Sequence, residues 1–199
     1  ENYLRILLVP LAEDETLDFS KAEEIAGPPP SEDVGIDIPE GRFEAIVFFT
    51  VRTNHPSPIA TGCGGLIDYL APEPPRMFIE VTHEEYAKRF QNYFGTTIQS
   101  IFYDEAGPFS AGSFTWTKRF PEEFRRLKGY DIVENLHHLF YDADDTTEKV
   151  RCDYWDVVAD LFTENFIGQI ADWCEEHGIA LTGHSFEEIN RWTWAADPY

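Results

Sequence analysis

Two short apolar runs, Thr97–Tyr103 and Ile179–Thr182, flank a stretch dominated by helical periodicity. From about Thr147 to Glu176, Tyr154, Val157, Val158, Leu161, Phe162, Phe166, Ile170, Trp173 and Cys174 recur at steps that place them on one helix face, and Gly178 stands just past its end. A strand, then helices, then a second strand reads as parallel strands joined by crossover helices. Other segments extend the order. Tyr3–Leu11 and Phe43–Arg52 read as buried strands. Met77, Phe78, Val81, Tyr86, Phe90 and Phe94 predict one helix from about Pro75 to Phe94, stopped by Gly95, with Thr82 and Glu85 as a capping box if the helix instead starts there. Pro121–Leu127 and Val133–Phe140 predict shorter helices. The expected class is α/β. All 199 residues form one domain in this reading, residues 1–40 giving a strand and an acidic, proline-rich loop and residues 41–199 the βα units.

Charge narrows the partners. The chain has 37 acidic against 15 basic side chains, a formal net charge of −22, which repels phosphate backbones and excludes nucleic acid. The hydrophobic share of 43% is that of a packed globule rather than a disordered acidic tail. No apolar run approaches the ~18 residues of a membrane span. Cys63, Cys152 and Cys174 are far apart with no CxxC pair, so they read as small buried hydrophobes. His137 and His138 read as one core and one surface residue. The chain opens at Glu1 and stops among aromatic residues at Trp192–Tyr199, and we expect it to be part of a larger polypeptide with flanking domains.

Both strands flanking the helices are expected to end in ionisable residues: Asp104-Glu105 after the first, Gly183-His184 with Glu187 after the second. In parallel α/β architectures ligands gather at the carboxyl ends of strands. A carboxylate anchored there by rigid backbone suits general acid work, and glycoside hydrolysis uses two carboxyl groups across one bond. Glu105 and Glu187 are therefore the candidate catalytic pair, with Glu188 as an alternative to Glu187. Asp104 and His184 are candidate substrate contacts, as are Asn54 and His55 in the loop after Phe43–Arg52. Trp116 and Trp194 offer rings on which the C–H face of a sugar can stack. No metal or cofactor is called for: the HExxH pattern is absent, and Gly62–Gly65 lacks dinucleotide spacing. Two other readings compete. One is a noncatalytic carbohydrate-binding module; the other is a metal-dependent hydrolase using His184, Glu187 and Asp104.

Several short motifs recur in order: Glu80-Val-Thr-His-Glu-Glu-Tyr86, Tyr93-Phe-Gly-Thr-Thr-Ile98, Ile101-Phe-Tyr-Asp-Glu105, Phe124 leading to Gly129-Tyr-Asp131, Val150-Arg-Cys-Asp-Tyr154, and Trp173-Cys-Glu-Glu-His-Gly-Ile179 leading to Thr182-Gly-His184. Over roughly Gly41 to Glu188 the chain resembles glycoside hydrolase family 106, the α-L-rhamnosidases. The resemblance implies a partial (β/α)8 TIM barrel inside a longer enzyme that acts on plant or microbial glycans. It also implies that Glu105 matches the general acid after the fourth barrel strand, that the reaction inverts the anomeric centre, and that a base glutamate lies on a later strand, at Glu187 or beyond Tyr199.

Overall fold

Strand β1 (Asn2–Pro10) carries four consecutive buried apolar residues, Ile6, Leu7, Leu8 and Val9. A run buried on both faces belongs in the middle of a sheet. In the computed structural model, which describes residues 2–25, 38–52, 67–108 and 114–185, β1 does lie centrally, between β2 (Glu23–Glu24) and β3 (Phe43–Thr50). Both pairings are antiparallel, with Leu7 opposite Glu24 on one side and Ile46 on the other. On β3 the period of two is clear: Ile46 and Phe48 are buried, whereas Val47 and Phe49 are exposed.

The chain divides into two compact units, residues 1–52 with 124–153 and residues 53–123 with 154–199. In the first, the three-stranded sheet keeps company with the second half of α3 (Phe120–Lys128), a 3₁₀ turn at Val133–Asn135, α4 (Leu136–Phe140) and the start of α5 (Thr147–Phe162). Ile132, Leu136 and Leu139 are buried there, and Phe140 tilts against Phe48 at 5.8 Å between ring centroids. The Arg5 guanidinium reaches from β1 to the carbonyls of Val133 and Glu134 and pairs with Glu24 at 3.1 Å. His138 is buried, its Nδ1 2.9 Å from the Thr147 hydroxyl. His137 is no surface residue either: it is half-buried and stacks on Phe19 at 5.2 Å.

The second unit holds β4 (Ser100–Ala106) and β5 (Ala180–Ser185), which pair in parallel. The helices between them include the body of α5 and α6 (Gln169–Glu176). Tyr154, Val157, Val158, Leu161, Phe162, Phe166, Ile170, Trp173 and Cys174 are all buried, so the stripe legible in the sequence is a core face. Its helix is not continuous. A π turn at Thr163–Gly168 separates α5 from α6, and there Asn165 and Gln169 donate their side-chain amides to the carbonyls of Leu70 and Pro72. Tyr69 sets its edge on Phe162 and Phe166, closing the same corner.

The single helix expected over Pro75–Phe94 is two, α1 (Glu73–Val81) and α2 (His83–Phe90), broken at Thr82 with φ −116° and ψ −68°. No capping box forms: the Thr82 hydroxyl donates back to the Phe78 carbonyl, and Glu85 pairs with Lys88 and Arg89. The buried line is Pro75, Ile79, His83 and Ala87, while Met77, Val81 and Tyr86 face solvent. His83 fills a core position because its ring lies edge-on to Phe78 and Trp173, and burial lowers its pKa so that the neutral imidazole is favoured.

The expected barrel is not what the chain forms. Its described residues make one three-stranded antiparallel sheet and one two-stranded parallel sheet, neither of them closed, so this is not a (β/α)8 TIM barrel, partial or otherwise. Eight parallel strands hydrogen-bonded in a ring define that fold. The error lies in strand direction and pairing: β1 pairs antiparallel with both β2 and β3, and the parallel pair β4–β5 forms a separate sheet. Among the described residues no helix is long and apolar enough to cross a membrane. Cys174 is buried as expected, but Cys152 is exposed.

Candidate active site

Parallel pairing sets Phe102 opposite Thr182, Tyr103 opposite Gly183 and Asp104 opposite His184. Side chains alternate across a sheet, and directly paired residues share a face. Phe102, Asp104 and His184 therefore stand together on one face of the β4–β5 pair. The His184 Nε2 lies 2.8 Å from the Asp104 Oδ1, and the His184 ring is 5.5 Å from that of Phe102. This face is accessible: the Asp104 side chain is 74% exposed and that of His184 is 37%. The opposite face packs inward, with the Tyr103 ring edge-on to Phe166 at 6.0 Å.

Asp104, Glu105 and His184 lie within the strands rather than just beyond them, because β4 and β5 both run further than the apolar runs alone indicated. The regular register ends after Asp104. The next pair is Ala106 with Ser185, so two residues of β4 are spanned by one step of β5 and Glu105 is the extra one. Such a bulge re-aims the chain, and bulges concentrate beside active sites. For Glu105 the structure describes the backbone, in β4 next to the Asp104–His184 pair.

Gly183 is the residue that sequence reasoning passed over, having taken it for the end of the strand. Its φ is +154°, and a Cβ there would come within 2.4 Å of the Tyr103 carbonyl oxygen and 2.5 Å of the Tyr103 ring. Only glycine tolerates that approach. The available signal was a lone glycine inside a strand pattern, which marks close backbone contact.

Other expected site residues divide differently. Trp116 is half-buried and its ring packs on Phe120 at 4.9 Å. Glu187, Asn54, His55 and Trp194 lie outside the described residues. Among the described residues no group of three or more His, Cys, Asp or Glu side chains is arranged to hold a metal ion.

The β4–β5 pair thus carries an aspartate–histidine contact beside a bulged glutamate at the carboxyl ends of adjacent parallel strands. The profile of the family described as alpha-L-rhamnosidase, glycoside hydrolase 106, matches residues 35–195. The chain belongs to this family. The match takes in β4, β5 and every helix between them. A curated protein of Formosa agariphila, provisionally named a beta-glucuronidase, is 26% identical over 136 residues, 67% of this chain and 11% of that protein. A solved rhamnosidase from Novosphingobium sp. PP1Y is 24% identical, with a TM-score of 0.47, over 89% of this chain and 16% of that one. The chain thus spans about a tenth of the curated relative and a sixth of the solved structure.

Proposed function

We propose that this chain contributes to the hydrolysis of O-glycosidic bonds, with Glu105 as the general acid. The supporting observation is the register of β4 and β5 in a member of a glycoside hydrolase family: it brings Asp104 and His184 to one exposed face with Glu105 at the adjoining bulge. Glu105 donates its proton to the glycosidic oxygen as the bond to the anomeric carbon breaks. A second carboxylate removes a proton from the water that attacks that carbon from the opposite side, so water supplies the new hydroxyl and the configuration inverts. Glu187 is the proposed second carboxylate. Asp104, through the oxygen it does not share with His184, is a polar partner for a ring hydroxyl, and Phe102 adds an exposed ring for the sugar's C–H face.

The family described as alpha-L-rhamnosidase supports an α-L-rhamnosyl linkage as the substrate, and the beta-glucuronidase name of the Formosa agariphila relative makes glucuronides the second class to assay. A carbohydrate is the partner in either case. In the full-length protein, Glu105→Gln should lower turnover of an unactivated glycoside by roughly 100-fold or more while sugar binding persists. Turnover at the parental rate would refute the assignment of Glu105, and sugar binding with no turnover in the parent protein would favour a noncatalytic module.

A further inference from the structure

We propose that the Asp104–His184 pair is a positioning device for Glu105 and that Gly183 is the residue that permits it; this rests on the reading of Glu105 as proton donor. As the extra residue of the bulge, Glu105 falls between two register points and has no directly opposed residue on β5. Its backbone is fixed through its neighbours. Downstream, Ala106 is buried and registers with Ser185. Upstream, Asp104 is exposed, and the group that ties its side chain to β5 is the His184 imidazole at 2.8 Å. One end of the bulge is held by burial and the other by this close Asp104–His184 contact.

Gly183 supplies the closeness the pair requires. Because the position opposite Tyr103 has no room for a Cβ, any side chain there pushes β5 off β4 one residue before His184. The Tyr103 ring is itself seated on Phe166, and the Cβ would also meet the Tyr103 carbonyl oxygen, which a ring rotation leaves in place. A polar contact as exposed as Asp104–His184 adds little to stability, so removing it leaves the strands paired and acts on geometry. Geometry is what a general acid is sensitive to: a shift of about 1 Å in a reacting group can cost on the order of 100-fold in rate.

The test compares substrates that differ in their need for a proton. An alkyl α-L-rhamnoside leaves as a poor anion unless protonated; a dinitrophenyl α-L-rhamnoside leaves unaided. In the full-length protein, His184→Gln should lower kcat/KM on the alkyl glycoside by roughly 10- to 100-fold and leave the dinitrophenyl glycoside near the parental rate. Glu105→Gln should show the same contrast, larger. Gly183→Ala should follow His184→Gln, which carries the test alone if the glycine variant fails to fold. Equal losses on both glycosides for His184→Gln would make His184 a sugar contact and overturn the proposal, as would no loss on either. If Glu105→Gln itself shows no dependence on leaving group, the proton-donor reading fails; if it does and His184→Gln does not, only the positioning role fails.

Discussion

At Gly183 the hindrance is large enough to read in stability as well as in rate. Forcing a Cβ to 2.4 Å from the Tyr103 carbonyl oxygen at a φ of +154° should destabilise the second unit by about 2–3 kcal/mol in Gly183→Ala, measured by urea unfolding. A variant as stable as the parent would mean that the strands do not approach as described. Tyr154 offers a gentler test. It is fully buried, packs against Phe114 and Phe120, and donates its hydroxyl to the Thr115 carbonyl. Tyr154→Phe keeps the ring and leaves that carbonyl without its donor, so stability should fall by about 1 kcal/mol. Residue chemistry was well legible at Tyr154, whose place in an apolar stripe predicted burial. It was poorly legible at His83, because nothing local announces that an imidazole will find two aromatic partners in a core.

Among the elements, α4 carries a consequence for acid stability. Burial, reinforced by the neighbouring His138 and by Arg5, pushes the His137 imidazole down to about 4. Its folded pKa lies below the unfolded value of ~6.5, so the unfolded chain binds the extra proton between the two. The first unit should therefore hold its full stability above about pH 6.5 and lose it progressively as the pH falls toward 4. His137→Phe keeps a ring against Phe19 and should flatten that slope in thermal melts followed by circular dichroism. An unchanged slope would assign the acid sensitivity elsewhere. The elements also show where periodicity stops informing. It located the strands and the long helical stretch because apolar spacing reflects which residues are buried. It missed the break at Thr82, where the hydroxyl turns back to the Phe78 carbonyl, and the π turn at Thr163–Gly168, where Asn165 and Gln169 make tertiary hydrogen bonds. The bulge at Glu105 was equally hidden, since register is a relation between two strands and not a property of either.

For the whole chain, a net charge of −22 over 199 residues means self-repulsion in the folded state. Raising the ionic strength from about 0.01 M to about 0.15 M shortens the screening length from ~30 to ~8 Å and should raise the urea midpoint. A midpoint that falls with salt would show that the ion pairs, such as Arg151 with Asp142, outweigh the repulsion. Element order along the chain suggested parallel strands, and the family resemblance a barrel, yet order does not determine which strands share hydrogen bonds, and β1 and β3 run antiparallel. What did survive from sequence to structure is the side-by-side placement of β4 and β5, which brings Asp104 and His184 within 2.8 Å. The most direct test is a crystal structure of the full-length protein with a non-hydrolysed glycoside bound. The Glu105 carboxyl should sit within about 2.6–3.2 Å of the glycosidic oxygen, with a second carboxylate ~6.5–9.5 Å from it across the sugar. A glycoside seated out of reach of Glu105 would contradict the account.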